Sequence, residues 1–231
     1  MILTAAHCAY QYSPSGGRFA DYALYIPDQV RTTGTKSDEF CGNDPLGCWI
    51  PAFAVVDVRW TQQGFPNSVP YDYAFYVIPN DVNAHQKGYL YDQDPNLSEL
   101  LPDLTEPIPV NWNYDHRAAD FTTGLGYSFD KDPDFRYCAG PLSTKYGIQT
   151  YENLWIGVCE MTGGSSGGPW MIGTDSDGRG TIVSVNSWGY TSSSGMAGPN
   201  LSTGGAECLY DKARTLSLSQ HGGVVVSDCQ Y

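Results

Sequence analysis

Short runs of β-branched and aromatic residues, each closed off by Gly, Pro, Asn or Asp, recur along the chain: Ala52 to Trp60, Tyr73 to Ile78, Phe121 to Tyr127, Trp170 to Gly173 and Thr181 to Trp188. Such residues suit the pleated, half-buried surface of a strand, and the punctuation between them leaves little room for long helices. The 26 Gly, 15 Pro and 17 Tyr, against 16% charged residues, push the same way. An all-β barrel or sandwich is expected. The single helical pattern lies near the end, where Leu209, Ala213 and Leu216 recur within Ala206 to Leu216 and predict a short C-terminal helix. No period of repetition and no linker stands out. The polar stretch from Tyr12 to Cys48 reads as a surface insertion.

Cysteine usage narrows the setting. The seven cysteines contain no Cys-x-x-Cys pair, so a metal site is poorly supported, and disulfides in an oxidising compartment are the better reading. Local pairing suggests Cys41 with Cys48, Cys138 with Cys159 and Cys208 with Cys229, although six cysteines admit about 15 connectivities and the sequence does not choose among them. Cys8 is left over. The formal net charge of −13 argues against an extended basic surface for nucleic acid or acidic lipid, and no apolar run is long enough for a membrane helix. Neutral or cationic partners are expected. The opening Met1-Ile2-Leu3-Thr4 does not read as an export leader, and none is expected within the sequence as given. Asn96 and Asn200 head two glycosylation sequons, each readable equally as chance.

The strongest chemical signal is Thr162-Gly163-Gly164-Ser165-Ser166-Gly167-Gly168-Pro169-Trp170, a hydroxyl inside a glycine-dense turn that leads into a strand. A serine nucleophile needs an exposed oxygen and nearby amides aimed at the oxyanion, and the N–H groups of Gly164 and Ser166 are candidates for that oxyanion hole. The bland alternative is an ordinary Gly/Ser turn. A serine at neutral pH also needs a base. Of His7, His85, His116 and His221, only His7 sits in a small apolar run, Leu3-Thr4-Ala5-Ala6-His7-Cys8, that suits tight packing. The base in turn needs a buried carboxylate. Asp72, at the head of the apolar segment Tyr73 to Ile78, fits, because an acid there is costly unless paired.

These three segments together resemble the chymotrypsin-like serine peptidase family. Leu-Thr-Ala-Ala-His-Cys is similar to its histidine motif, Asp72-Tyr73-Ala74 to its aspartate motif and Gly164-Ser165-Ser166-Gly167-Gly168-Pro169 to its serine motif. The order His, Asp, Ser agrees with that family and not with subtilisins or α/β-hydrolases. The resemblance implies two six-stranded antiparallel β-barrels, residues 1–115 with the insertion 12–48 forming the first and 116–231 the second. It implies a catalytic triad of His7, Asp72 and Ser166 in the cleft between them. It further implies a substrate strand paired along Asn186, Ser187, Trp188 and Gly189, protein or peptide substrates, no cofactor, no metal, a monomer and secretion.

Departures from the family pattern refine this. Ser165 stands where animal trypsins carry aspartate, so the ion pair made there by a freshly cut N-terminus cannot form. The wording around Ser166 is closer to the branch that includes glutamyl endopeptidases, yet Asn186 replaces the histidine that recognises glutamate there, and glutamate specificity is not supported. Glu160 and Met161 are expected near the pocket. Only six residues precede His7, where family members carry further strands and a cysteine that pairs with the one after the histidine. The first barrel is therefore expected to be incomplete, with the export signal and the partner of Cys8 lost upstream. The rival readings are an inactive homologue serving as a secreted binding module, and an esterase with the same triad.

Overall fold

The computed structural model describes residues 1–33, 41–128, 135–144, 153–189, 193–202, 205–216 and 222–229. The chain is mostly β with a few short helices. In the first half, β1 (Ile2–Thr4) runs into α1 (Ala6–Ala9), followed by the short strands β2 (Tyr10–Gln11), β3 (Arg18–Phe19) and β4 (Cys48–Trp49). Then come β5 (Phe53–Asp57), α2 (Val58–Gln62), β6 (Ala74–Val77), β7 (His85–Gln86) and α3 (Leu101–Leu104). The second half contributes β8 (Phe121–Tyr127), β9 (Phe135–Ser143), β10 (Asn153–Ile156), β11 (Pro169–Ile172), β12 (Thr181–Val185) and β13 (Met196–Pro199). It closes with α4 (Ala206–Thr215), on the segment where a helix was expected, and β14 (Gly222–Val226).

Two sheets carry the architecture. One holds six strands in the order β12-β11-β8-β9-β10-β13, all antiparallel. The other has four, β1-β6-β5-β14, and so is smaller than a six-stranded barrel. Its last pair is parallel: β14 adds to β5 with Gly222 opposite Phe53 and Val226 opposite Asp57. A strand from the far end of the chain thus belongs to the sheet of the first half. Between the sheets lies a core that includes Phe53, Val55, Phe75, Met171, Leu209 and Val226, which joins residues of both halves. The insertion leaves β2, contains β3, which pairs back on it, and is pinned by the Cys41–Cys48 disulfide; its residues 34–40 lie outside the described residues. The other disulfides are Cys138–Cys159 and Cys208–Cys229.

The run Ala52 to Trp60 does not remain a strand to its end. Asp57 is buried at 1% exposure, and its Oδ1 accepts the Arg59 amide at 2.8 Å, which caps α2 and turns the chain. The same carboxylate takes a two-pronged grip from Arg59, Nε to Oδ1 at 2.9 Å and Nη2 to Oδ2 at 2.6 Å. Nη2 also donates to the carbonyl of Cys229 at 3.0 Å, so one guanidinium ties the end of β5 to the segment after β14. Removing it strands a buried charge. We expect Arg59→Met to lower unfolding stability by about 3–5 kcal/mol, read by urea denaturation.

Candidate active site

Strand register brings the first two candidate residues together. In the antiparallel β1–β6 pair, Thr4 lies opposite Ala74, so the chain leaving β1 and the chain entering β6 meet at one end of the sheet. His7 sits on α1, one short turn past Thr4, and Asp72 stands two residues before the start of β6. Ala5, Ala6 and Ala9 are essentially inaccessible, and the last two pack with Ala54, Val56, Ala74 and Trp60. Larger side chains there would push α1 off the sheet.

Asp72 is 2% exposed, and three donors meet its carboxylate. The His7 backbone N–H donates to Oδ1 at 2.9 Å, and His7 Nδ1 donates to Oδ2 at 2.8 Å. The Ser187 hydroxyl adds a bond to Oδ2 at 2.5 Å. With Nδ1–H held by a carboxylate, the neutral ring leaves Nε2 as its acceptor, the tautomer a general base needs. Burial of the ring opposes its charge, but the hydrogen bond and charge of Asp72, with a further push from the neighbouring Cys8 sulfur, outweigh it and push the imidazole up to about 10.

Ser166 stands in the turn from Thr162 to Gly168. Ser165, beside it, is buried; its amide and its hydroxyl both donate to the Thr162 carbonyl, at 3.2 and 2.8 Å, and its carbonyl accepts Gly168 N–H at 3.1 Å. Gly164 and Gly167 have φ of +99° and +81°, which side chains seldom adopt. At Gly167 an added Cβ would lie 2.3 Å from Thr4 Oγ1 and 3.0 Å from the Ala5 amide. The backbone next to Ser166 therefore rests directly on the segment that carries His7. Among the described residues, the N–H groups of Gly164 and Ser166 have no acceptor, and the Ser166 hydroxyl makes no hydrogen bond to His7.

The expected substrate-binding residues divide. Trp188 bridges to Ala197, and the carbonyl of Ser187 and both backbone groups of Gly189 are unbonded among the described residues. Asn186 corrects the expectation. It is inaccessible, and its amide is taken up by Trp170, Leu125 and Ser165, which leaves that side chain nothing to offer a substrate. Glu160 is exposed and Met161 buried. Phe65, which sits in a polar stretch with no sequence signal, is 66% exposed and sets its ring against Trp188 at 5.8 Å.

The other histidines have different surroundings. His85 is stacked on Trp49 at 4.1 Å with Nε2 bonded to the Leu46 carbonyl, and His116 accepts from Asn200 Nδ2 at 3.1 Å. His221 lies outside the described residues. Asn200 is itself 6% exposed, which removes it as a glycan acceptor, whereas Asn96 is exposed. Cys8 is exposed and unpaired.

No family model and no curated protein matches this sequence. Solved structures do. The chain is similar to the thermostable serine protease AL20 from an extremophilic microorganism, with 24% identity over 93% of this chain and 84% of that one, at a TM-score of 0.64. It is similar to protease Anisep from Arthrobacter nicotinovorans, with 26% identity, 91% and 81% coverage and a TM-score of 0.65. A Glu endopeptidase in complex with MPD matches at 15% identity, 93% and 80% coverage and a TM-score of 0.56. The fold is that of the chymotrypsin-like serine peptidases.

A folded-state imidazole pKa above the ordinary 6.5 adds stability that is complete below pH 6.5 and fades as pH rises toward 10. The gap in melting temperature between the protein and Asp72→Asn should therefore be widest below pH 6.5 and shrink steadily toward pH 10, as followed by calorimetry.

Proposed function

We propose that the protein is a secreted serine endopeptidase that cuts peptide bonds through an acyl-enzyme on Ser166. His7 Nε2 takes the Ser166 proton while Oγ forms a bond to the scissile carbonyl carbon. The developing oxyanion is received by the N–H groups of Gly164 and Ser166. His7 then gives its proton to the leaving amine as the C–N bond breaks, and water, deprotonated by the same ring, releases the acid. Asp72 orients the ring and stabilises its charged form. The substrate backbone adds as a strand along Ser187 to Gly189, where the Ser187 carbonyl and both backbone groups of Gly189 have no bond among the described residues.

One observation carries the reading: the imidazole of His7, bonded through Nδ1 to a buried carboxylate at 2.8 Å, belongs to a segment on which the glycine after Ser166 is seated. The 26% identity to protease Anisep supports a peptidase reaction. Three disulfides support an oxidising, extracellular setting. A second reading, an inactive homologue acting as a secreted binding module, is favoured by the missing hydrogen bond between Ser166 and His7. Such bonds are often long before substrate arrives.

A fluorophosphonate separates the two. Labelling of the protein that vanishes in Ser166→Ala, with kcat/KM on peptide substrates reduced roughly 10⁴-fold in Asp72→Asn, is the expected result. A folded protein that never labels would identify the binding module. Because the ring is pushed up to about 10, the neutral base grows more abundant as pH rises above neutrality, so kcat/KM should climb on the alkaline side. Cys8→Ser should move that limb to lower pH.

A further inference from the structure

Asn186 is inaccessible to solvent, yet it makes five hydrogen bonds, and three of them reach the turn around Ser166. Its carbonyl accepts Gly167 N–H at 2.8 Å, and its N–H donates to the Gly168 carbonyl at 2.8 Å. Its Nδ2 donates to the Ser165 carbonyl at 2.9 Å and to the Leu125 carbonyl at 2.7 Å, while Oδ1 accepts Trp170 Nε1–H at 2.6 Å. Indole N–H is only a donor and both carbonyls are only acceptors, so the orientation of this amide is fixed by its partners. The surroundings are cut to admit it. A Cβ on Gly126 would lie 3.1 Å from Nδ2, and one on Gly168 would lie 2.8 Å from it.

The bond to Ser165 has a consequence beyond packing. The Ser165 C=O and the Ser166 N–H belong to one planar trans peptide and point in opposite directions. Holding the carbonyl inward, against Asn186 Nδ2 and Gly168 N–H, turns the Ser166 N–H outward, away from every described acceptor. No charge is involved: Ser165 directs its own hydroxyl to the Thr162 carbonyl, so neutral hydrogen bonds alone set the turn. A rotation of this one peptide would replace an outward donor with an outward carbonyl.

We propose that Asn186 is a positioning residue for the reaction: it grips the Ser165 carbonyl, fixes the 165–166 peptide plane and so aims the Ser166 N–H at the oxyanion. This rests on the peptidase reading above. It assigns the buried amide a part in transition-state stabilisation, with no contact to substrate.

Asn186→Asp nearly keeps the shape but turns an oxygen toward the Ser165 and Leu125 carbonyls. We expect kcat on a peptide substrate to fall 10²–10³-fold, roughly the loss of one oxyanion donor, with KM within about threefold. Leu209→Ala, a core substitution on α4 that touches none of the hydrogen bonds of Asn186 or the turn, serves as the control: matched in melting temperature, it should leave kcat unchanged. Should Asn186→Asp not fold, Trp170→Phe carries the test, since it frees Oδ1 and should lower kcat about tenfold. Wild-type protein that labels with fluorophosphonate, together with a folded Asn186→Asp (or, failing that, a Trp170→Phe) whose kcat falls no further than that of Leu209→Ala, overturns the proposal alone. Wild-type protein that never labels overturns it together with the peptidase reading.

Discussion

A carboxylate removed from water sets the terms for the rest of the molecule. Asp72 keeps 2% exposure and is made tolerable by three donors that arrive from separate parts of the chain. Two come from His7 near its start and one from Ser187, which continues the path of β12. Left unpaired, such a group costs several kcal/mol or gives up its charge. The small sheet that carries β1 and β6 and the large sheet that carries β12 must therefore be aligned for Asp72 to keep all three donors, and the same alignment orients the imidazole. Fold and chemistry share one constraint here.

Around that charge the polypeptide approaches itself backbone to backbone. Alanines bring α1 onto β5 and β6, and Gly167 lets the serine turn lie against Thr4 and Ala5. Two kinds of hold then face each other across Ser166. On the side of His7 it is ionic, sensitive to pH through the imidazole. On the side of Asn186 it is a set of neutral bonds, which titrate nowhere in the working range. The directional part of the site is thereby insulated from the proton traffic of its base.

Much of this was legible in the chain. Runs of β-branched and aromatic residues closed off by turn residues marked β8 over its full length, and β6, β11 and β12 to within a few residues. The helix α4 followed from its apolar spacing. What escaped has physical reasons. β9 contains Gly140-Pro141 and β13 reads Met-Ala-Gly-Pro, sequences with turn chemistry that become strands only because neighbours supply the ladder. α2 formed where a strand was expected because Asp57 caps it and Arg59 locks the cap. At the site, residue types identified His7, Asp72 and Ser166 as candidates, but a motif states which residues stand near a strand, not which way an amide points. Asn186 was expected to face a substrate and instead faces the turn; the third donor to Asp72, Ser187, was equally invisible, because hydroxyl partners 115 positions apart leave no trace in spacing.

The parallel β5–β14 pair links residues 53–57 to residues 222–226, and parallel strands separated by so much chain close a very large loop. During synthesis, β5 leaves the ribosome long before β14, so the smaller sheet spends most of translation with an open, valine-rich edge. The sheet that carries β1 and β6 is therefore completed only by a strand made some 165 residues after β5, which ties the outer edge of the first half to the last segment of the second.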